Sequence, residues 1–341
     1  MPLSEFSLIE RFFASRARQL SAPHTGATLG IGDDCALIAP RPDELLAVST
    51  DMLVEGRHFL PDVDPHALGH KALAVNLSDL AAMGAKPRAF TLALAMETPS
   101  EAWLAAFADG MFALAERYGC ELVGGDTTRG PLNLCLTVFG DVPADRALRR
   151  SNARPGDDIW VSGTLGDARA GLGLLRGEWP AALFDEDGAP GTHAAFLRHA
   201  LERPEPRVAL GLALRGLAHA ALDISDGLAG DLMHILERSS VNASVDVDAV
   251  PRSRALEKLP RDVQLRCALA GGDDYELCFT APPAARDAIA AAGEHAGVAV
   301  TRIGTISALR DPSDPPTIAW HDASHTPLSL SLHGFDHFHA H

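Results

Sequence analysis

Two adjacent carboxylates, Asp33 and Asp34, follow an apolar run in the stretch GIGDDC. Neighbouring carboxylates repel each other, and a cation bound between them removes that repulsion. Adjacent acids also occur in ordinary turns, where short polar side chains bond their own backbone. Taken alone, this stretch favours the turn, so its meaning depends on the other acids of the chain.

Four further motifs place acids beside hydroxyl residues or glycine, namely STD at 49–51, SDL at 78–80, GGDTT at 124–128 and DISDG at 223–227. Each motif alone is also explained as a turn, a helix cap or a strand junction. In the helical stretch AVNLSDLAAM, however, Asp79 shares the apolar face with Val75 and Met83, where a charge needs a partner. Together, five sites of oxygen ligands without Cys or His pairs match Mg²⁺ rather than zinc, and Mg²⁺ is usually held by a few carboxylates and substrate phosphates.

The phosphate chemistry is not that of the common nucleotide-binding motifs. The chain has no GxxxxGK[ST] loop and no HRD catalytic loop, and its only lysines are Lys71, Lys86 and Lys258. Glycines beside the acids would let backbone N–H groups approach phosphate oxygens. GTLGDARAGLG is a weak match to a dinucleotide fingerprint. DVDAV at 246–250 has the form of an aspartyl-phosphatase motif, but SSVNAS before it is a poor buried strand.

Composition restricts the partners and the compartment. The 341 residues carry a formal net charge of −16, which argues against nucleic acid and anionic membrane surfaces. The five cysteines lie in apolar contexts without metal-site spacing and are predicted to be buried thiols, which indicates a reducing, cytoplasmic compartment. The sequence shows no signal peptide and no apolar run long enough to span a membrane, so we expect an unprocessed, soluble protein.

Hydrophobic periodicity predicts alternating strands and helices, typical of a two-domain α/β (α+β) protein. It predicts a helix over 4–20, a strand ending at Asp51, and a helix between a Ser100 cap and Gly119. Polar residues around Pro155 and Gly156 predict a boundary near residue 150, giving domains over 1–150 and 151–310 and a tail over 311–341. Residues 179–194 and 310–327 are predicted to be loops. Most acidic motifs are expected where strands end, the usual ligand-binding position in α/β folds.

The chain resembles the thiamine-monophosphate kinases, a family within the superfamily that also holds aminoimidazole ribonucleotide synthetase and selenophosphate synthetase. Nine motifs carry the resemblance, in the family's order from residue 30 to residue 338: GIGDDCA, STDMLVEGRHF, VNLSDLAAMGA, LVGGDTTRGP, RSNARPGD, VSGTLGDARAGL, DISDGL, GGDDYELCF and GFDHF. The family usually has Glu at the position of Asp273 and Gly at that of Asn152. The resemblance implies an N-terminal domain whose sheet pairs with a second subunit in a homodimer, and a C-terminal α/β domain of the aminoimidazole ribonucleotide synthetase type.

The activity implied by the resemblance is direct in-line transfer of a phosphoryl group from the co-substrate ATP to thiamine monophosphate, assisted by several Mg²⁺ ions. The acceptor is an ionised phosphate oxygen, so no general base is expected. By resemblance the metal ligands are Asp33, Ser49, Thr50, Asp51, Asp79, Asp126, Asp223 and Asp226, with Asp34 in support. ATP would contact Gly125, Asp126, Arg150 and Ser225, and the substrate His58, Glu276 and the tail residue Phe335. Two alternatives remain: another ATP-dependent member of the superfamily, and an inactive metal-binding homologue.

Overall fold

The computed structural model describes residues 5–20, 27–32, 34–184, 191–330 and 332. The chain divides into two compact units, the first comprising Met1–Leu80 and Ala85–Asp145 and the second Ala81–Gly84 and Arg146–His341. Each unit contains helices and a mixed sheet of its own. The predicted two-domain α/β architecture is therefore confirmed.

The N-terminal unit begins with a helical stretch, interrupted by a π-helical segment at Ile9–Ala14, and continues with strands and two long helices. Its elements are α1 (Glu5–Leu8), α2 (Ser15–Leu20), β1 (Ala27–Leu29), β2 (Leu37–Ile38), β3 (Glu44–Val54), α3 (Pro65–Ala82), β4 (Lys86–Ala95), α4 (Glu101–Tyr118), β5 (Glu121–Thr128) and β6 (Asn133–Pro143). The cap prediction for α4 is confirmed, since the Ser100 hydroxyl accepts the N–H of Trp103 and Gly119 ends the helix at φ 60°.

The main sheet of this unit has the strand order β3-β6-β4-β5 among the described residues, with β4 and β5 parallel and the other pairs antiparallel. Along β6 the side chains alternate, so that Leu134, Leu136 and Val138 are buried while the intervening ones are partly exposed. Helix α3 packs on the buried face, because Leu80 lies against Gly140 of β6.

Helices α3 and α4 of the first unit touch through glycine. A Cβ at Gly69 would lie 2.0 Å from the carbonyl oxygen of Phe107, and one at Gly110 would lie 1.9 Å from that of His66. Any larger residue at either position would push the two backbones apart. This close approach fixes α3, the helix that carries Asp79, against the rest of the unit.

The C-terminal unit has a second mixed sheet, with the order β12-β9-β11-β7-β10-β8 among the described residues. Its elements are β7 (Asp158–Ser162), α5 (Asp167–Leu175), α6 (Thr192–Glu202), α7 (Val208–Ala213), β8 (Ala220–Asp223), α8 (Leu228–Ser239), β9 (Val241–Asp246), α9 (Arg261–Ala270), β10 (Leu277–Ala281), α10 (Arg286–Ala296), β11 (Val300–Ala308) and β12 (Ile318–His321).

Three sequence predictions for this unit are wrong. The stretch judged a poor strand begins β9, which lies inside the sheet and buries Val241, Ala243 and Val245 on one face. The region predicted to be a loop over 310–327 contains β12, which pairs with β9 in parallel, and α6 begins inside the other predicted loop. Both strands are short, and their burial comes from partners distant in sequence.

The cysteines are free thiols with different exposures. Cys120, Cys267 and Cys278 are buried as predicted, and burial raises the pKa of Cys267 to about 11. Cys135 is half-buried and Cys35 is exposed, so the prediction of five buried thiols is wrong for these two.

Among the helices of the described residues, none combines the length and the apolar character that crossing a membrane requires.

Candidate active site

The STD motif lies in the middle of β3, and not at a strand end as predicted, because β3 continues to Val54 in register with β6. Its first and third side chains face α3. The Ser49 hydroxyl donates to a carboxylate oxygen of Asp79, and the Asp51 N–H donates to the side-chain oxygen of Asn76 at 3.1 Å. The predicted partner for Asp79 is thus a residue of the same candidate site.

Thr50 lies on the other face of the sheet. Successive side chains of a strand point to opposite faces, and the Thr50 hydroxyl lies 2.9 Å from that of Thr137 on β6. The structure therefore brings the Ser49 side chain to Asp79 and the Asp51 backbone to Asn76, and it turns the Thr50 side chain away. The Thr50 backbone carbonyl is the remaining oxygen with which this residue could bind a cation.

Asn76 was not among the predicted residues. It is fully buried on α3, three residues before Asp79, and its amide nitrogen donates to the carbonyl oxygen of Ala72 at 3.0 Å. With its oxygen on the Asp51 N–H, this amide joins α3 to the centre of β3. The signal was present in the motif VNLSD, since a buried amide one helical turn from a partly buried acid needs its own partners.

Gly125 and Asp126 lie inside β5, which runs to Thr128, so a strand end was the wrong expectation here too. Gly125 has φ +151°, and a Cβ there would lie 1.9 Å from the carbonyl oxygen of Leu92 on β4. The parallel register of β4 and β5 shifts just before this point. Only glycine fits this position, and it leaves Asp126 exposed at the edge of the sheet.

His58 is held in the turn after β3. Its Nδ1 accepts the N–H of Val54 at 2.9 Å, so the neutral ring carries its proton on Nε2 and acts as a donor there. Asp34 is exposed. Asp33 and Phe335 lie outside the described residues.

In the C-terminal unit, Asp223 is the buried last residue of β8, as the strand-end expectation required. Ser225 and Asp226 follow in the turn before α8. The segment 273–276 holds this turn by backbone hydrogen bonds, among them one from the Asp273 N–H to the Ser225 carbonyl oxygen at 2.8 Å and one from the Tyr275 N–H to that of Ile224 at 2.8 Å. The three predicted residues of the DISDG motif are therefore adjacent and their backbone is fixed.

Asp231 on α8 is a further residue that sequence reasoning missed. One of its oxygens, Oδ2, accepts the N–H groups of Ser225 and Asp226, each at 3.0 Å. Burial raises the pKa of Asp231 to about 7, and the two backbone hydrogen bonds and the positive charge of Arg150 oppose that rise. Arg150, predicted to bind ATP, is therefore near the DISDG turn.

Glu276 is buried and bonded within its own unit. Its carboxylate forms a two-pronged ion pair with Arg207, with Nε 2.7 Å from Oε2, and it accepts the hydroxyl of Ser162. The structure places Glu276 beside a cation of the protein itself. Its predicted role at the substrate stays a prediction.

Asp273, where the resemblance led us to expect Glu, has a left-handed backbone with φ 61°. Asp adopts this conformation more readily than Glu, because its short side chain bonds locally. The Tyr275 hydroxyl donates to the Asp273 carboxylate at 3.1 Å. An aspartate at position 273 therefore suits the left-handed backbone of the segment that holds the DISDG turn. Asn152, where the resemblance led us to expect Gly, is exposed.

Among the described residues, no group of three or more His, Cys, Asp or Glu side chains is arranged to hold a metal ion. The donor set nevertheless has the chemistry of Mg²⁺, because Ser49, Asp51 and Asp79 offer hydroxyl and carboxylate oxygens within one unit. Mg²⁺ commonly keeps waters and takes substrate phosphates as ligands, so few protein ligands are needed.

The whole chain matches known proteins. Its residues 32–142 match the family model described as AIR synthase related protein, N-terminal domain, and residues 154–313 match the corresponding C-terminal domain. The thiamine-monophosphate kinase of Salmonella typhimurium is 48% identical over 346 aligned positions, which cover 99% of each chain. This chain belongs to the thiamine-monophosphate kinase family.

Solved structures of the thiamine-monophosphate kinase family share the fold. The crystal structure of the Stenotrophomonas maltophilia enzyme is 49% identical, with a TM-score of 0.82, and the match covers 93% of this chain and 97% of that one. AaThiL, solved in complex with AMPPCP and TMP, is 30% identical with a TM-score of 0.72 and 99% of each chain covered. The family resemblance predicted from the nine motifs is confirmed.

Proposed function

We propose that this protein transfers a phosphoryl group from ATP to thiamine monophosphate in a direct, in-line reaction assisted by several Mg²⁺ ions, giving thiamine diphosphate and ADP. The full-length match to thiamine-monophosphate kinases supports the activity. The observation that carries the mechanism is the contact between β3 and α3, where Ser49 donates to Asp79 and Asn76 accepts from the Asp51 N–H.

This contact prepares a cation site before any ligand arrives. The carboxylates of Asp51 and Asp79 and the Ser49 hydroxyl lie on β3 and α3, which the Asn76 hydrogen bonds hold together. Their oxygens therefore lose little conformational freedom when a cation binds. In the metal-bound enzyme we propose Ser49, Asp51, Asp79 and Asp126 as ligands from the N-terminal unit, joined by the Thr50 carbonyl and Asp33. Asp223 and Asp226 are the proposed ligands from the C-terminal unit. Bound Mg²⁺ supplies positive charge that offsets the repulsion between the two phosphate groups and stabilises the transferred one.

The protein's own groups then position the reactants. The nucleophile is a phosphate oxygen that is already ionised, so no side chain has to remove a proton. The Arg150 guanidinium can bind ATP phosphate oxygens with two parallel hydrogen bonds. The Gly125 backbone approaches the nucleotide without a side chain in the way, and Ser225 offers a hydroxyl.

On the acceptor side we propose His58, Glu276 and Phe335. His58 donates through Nε2, the nitrogen that its bond to Val54 leaves protonated. Glu276, with its charge shared with Arg207, is a weaker attraction for the thiazolium ring than a lone carboxylate. We therefore expect Phe335 to contribute the face on which that cationic ring stacks.

The open face of the first sheet supports a homodimer. On the face away from α3, β3 exposes Leu46, Val48 and Met52 by 53%, 56% and 54%, next to half-buried side chains of β6. An exposed apolar stripe of this kind marks a protein–protein interaction surface. A second copy of the chain, pairing the same face, covers both stripes at once. The dependence on ATP and the free thiols fit a cytoplasmic enzyme.

The test of the site is Asp79→Asn, which keeps the size of the side chain and removes its charge. We expect turnover to fall by about 100-fold or more, because the cation loses a charged ligand, while the melting temperature changes little. Asp109→Asn is the matched control, since Asp109 is an exposed carboxylate on α4 paired with Arg16. Full turnover of the Asp79 variant would remove this residue from the site.

The same assay separates the alternatives. ADP release in the presence of Mg²⁺ is measured with and without thiamine monophosphate. Release that requires thiamine monophosphate supports the proposed kinase, whereas release without it indicates another acceptor. An enzyme that binds Mg²⁺ and ATP but releases no ADP under either condition would be an inactive homologue.

A further inference from the structure

Asp231 is a buried acid with an uncommon pattern of bonds. It lies in the first turn of α8, is 4% exposed, and its Oδ2 accepts two consecutive backbone N–H groups, those of Ser225 and Asp226. Both N–H groups precede the helix, and the Asp231 side chain reaches back from the first turn of α8 to accept them. A carboxylate is the strongest side-chain acceptor for two converging donors, because both hydrogen bonds are charge-assisted.

The opposite side of the same turn is also held. The Ser225 carbonyl oxygen accepts the Asp273 N–H at 2.8 Å, and the Ile224 N–H donates to the carbonyl oxygen of Glu276 at 2.8 Å. The peptide units of the turn are thus fixed from one side by the backbone of 273–276 and from the other by Asp231. Fixing two consecutive peptide units also fixes the direction in which the Ser225 and Asp226 side chains leave the backbone.

Burying the Asp231 carboxylate has a free-energy cost, which its hydrogen bonds to the turn must offset. A carboxylate removed from water loses hydration that hydrogen bonds must replace. An asparagine at this position would offer an acceptor oxygen to the same N–H groups at a lower desolvation cost. The positive charge of Arg150 lowers the pKa of Asp231 and so opposes part of the effect of burial.

We propose that Asp231 is a positioning residue of the enzyme, which orients Ser225 and Asp226 so that they can engage ATP and Mg²⁺. The proposal rests on the proposed roles of Ser225 and Asp226. Asp231 acts through these two residues and touches neither substrate. Its loss therefore raises the Mg²⁺ requirement and lowers turnover, while thiamine monophosphate binding stays unchanged.

The experiment uses the full-length enzyme and the variants Asp231→Ala and Asp231→Asn. For Asp231→Ala we expect turnover at fixed Mg²⁺ to fall by about 10- to 100-fold, the half-activating Mg²⁺ concentration to rise by about 10-fold, and KM for thiamine monophosphate to stay within about twofold. Asp231→Asn keeps one acceptor oxygen without the charge, so its losses are expected to be intermediate. If the alanine variant does not fold, the asparagine variant decides by the same three measurements.

Asp157→Asn is the control for a purely structural effect. Asp157 is 3% exposed, accepts the Arg154 N–H at 2.9 Å and bonds His219, and it precedes β7. We expect it to lower the melting temperature without changing the Mg²⁺ requirement. The proposal is overturned if both Asp231 variants keep the wild-type Mg²⁺ requirement, or if Asp157→Asn shifts it as much as they do.

Asp226→Asn separates this proposal from the proposed function. If Asp231 acts through Asp226, the variant with both substitutions, Asp231→Ala and Asp226→Asn, loses no more turnover than the worse single variant. Fully additive losses contradict the proposal. Full activity of Asp226→Asn would instead contradict the proposed role of Asp226, whatever the Asp231 variants do.

Discussion

Replacement of Gly125 by alanine tests whether the close contact of β4 and β5 defines the site. The new Cβ would lie 1.9 Å from the Leu92 carbonyl oxygen and 2.7 Å from the carbonyl carbon, and the backbone φ of +151° is one that alanine rarely adopts. β4 cannot move away, because it is hydrogen-bonded to β5 on one side and to β6 on the other. Gly124→Ala is the control, since its Cβ would only touch the Thr91 side chain at 3.7 Å.

Replacing Gly125 by alanine adds two unfavourable contributions to the free energy of folding. An unfavourable backbone conformation costs about 1–3 kcal/mol, and overpacking against fixed atoms costs about 1–3 kcal/mol. Their sum, about 4 kcal/mol, corresponds to a fall in melting temperature of about 10 °C for a unit of this size. Gly124→Ala meets neither cost and is expected to change the free energy of unfolding by less than about 1 kcal/mol.

The assay is thermal unfolding of both variants by circular dichroism, followed by ADP release at a temperature where both are folded. We expect Gly125→Ala to be much less stable and to lose turnover, because Asp126 follows the displaced residue. If the two variants melt within about 2 °C of each other, the close contact is not what requires glycine at position 125, and the reasoning fails.

Two further predictions concern the pH dependence of stability and the oligomeric state. The hydrogen bond from Arg286 holds the pKa of buried Asp158 below its usual value, so its stabilisation is present above the unfolded-state pKa and is lost as pH falls through the folded-state pKa. Asp158→Asn should lower the free energy of unfolding by about 1–2 kcal/mol at pH 7, a value kept small because Arg286 is half exposed. In denaturant titrations, the difference between the variant and the unchanged protein should shrink below about pH 4. A difference that does not change with pH would contradict this prediction. Val48→Asp, which places a charge on the open sheet face, should give a folded monomer in light scattering where the unchanged protein is a dimer; a dimeric variant would exclude this face.

The long periodic segments could be predicted from the sequence. Helix α4 carries its own signals, because the Ser100 cap and the Gly119 terminator act on neighbouring backbone groups. The need of Asp79 for a partner could also be predicted, since an acid on an apolar helix face is costly without one. These features depend on residues within one or two helical turns.

Short strands and strand ends could not be predicted in the same way. β9 has a polar, unremarkable sequence, and it is a strand because β11 and β12 pair with it on both sides. β3 and β5 continue through the STD and GGD motifs because their partners β6 and β4 extend that far. The extent of a strand is set by its neighbours in the sheet, which the local sequence does not contain.

For the candidate site, the sequence by itself determined the kind of chemistry: oxygen ligands, glycines beside them, and motifs in the order of one family. Only the tertiary structure decided which side chains meet. It turned the Thr50 side chain away from Ser49 and Asp51, and it brought Asn76 to the Asp51 backbone. The physical reason is that strand alternation and long-range register decide which side chains meet, and both depend on contacts between residues far apart in the chain.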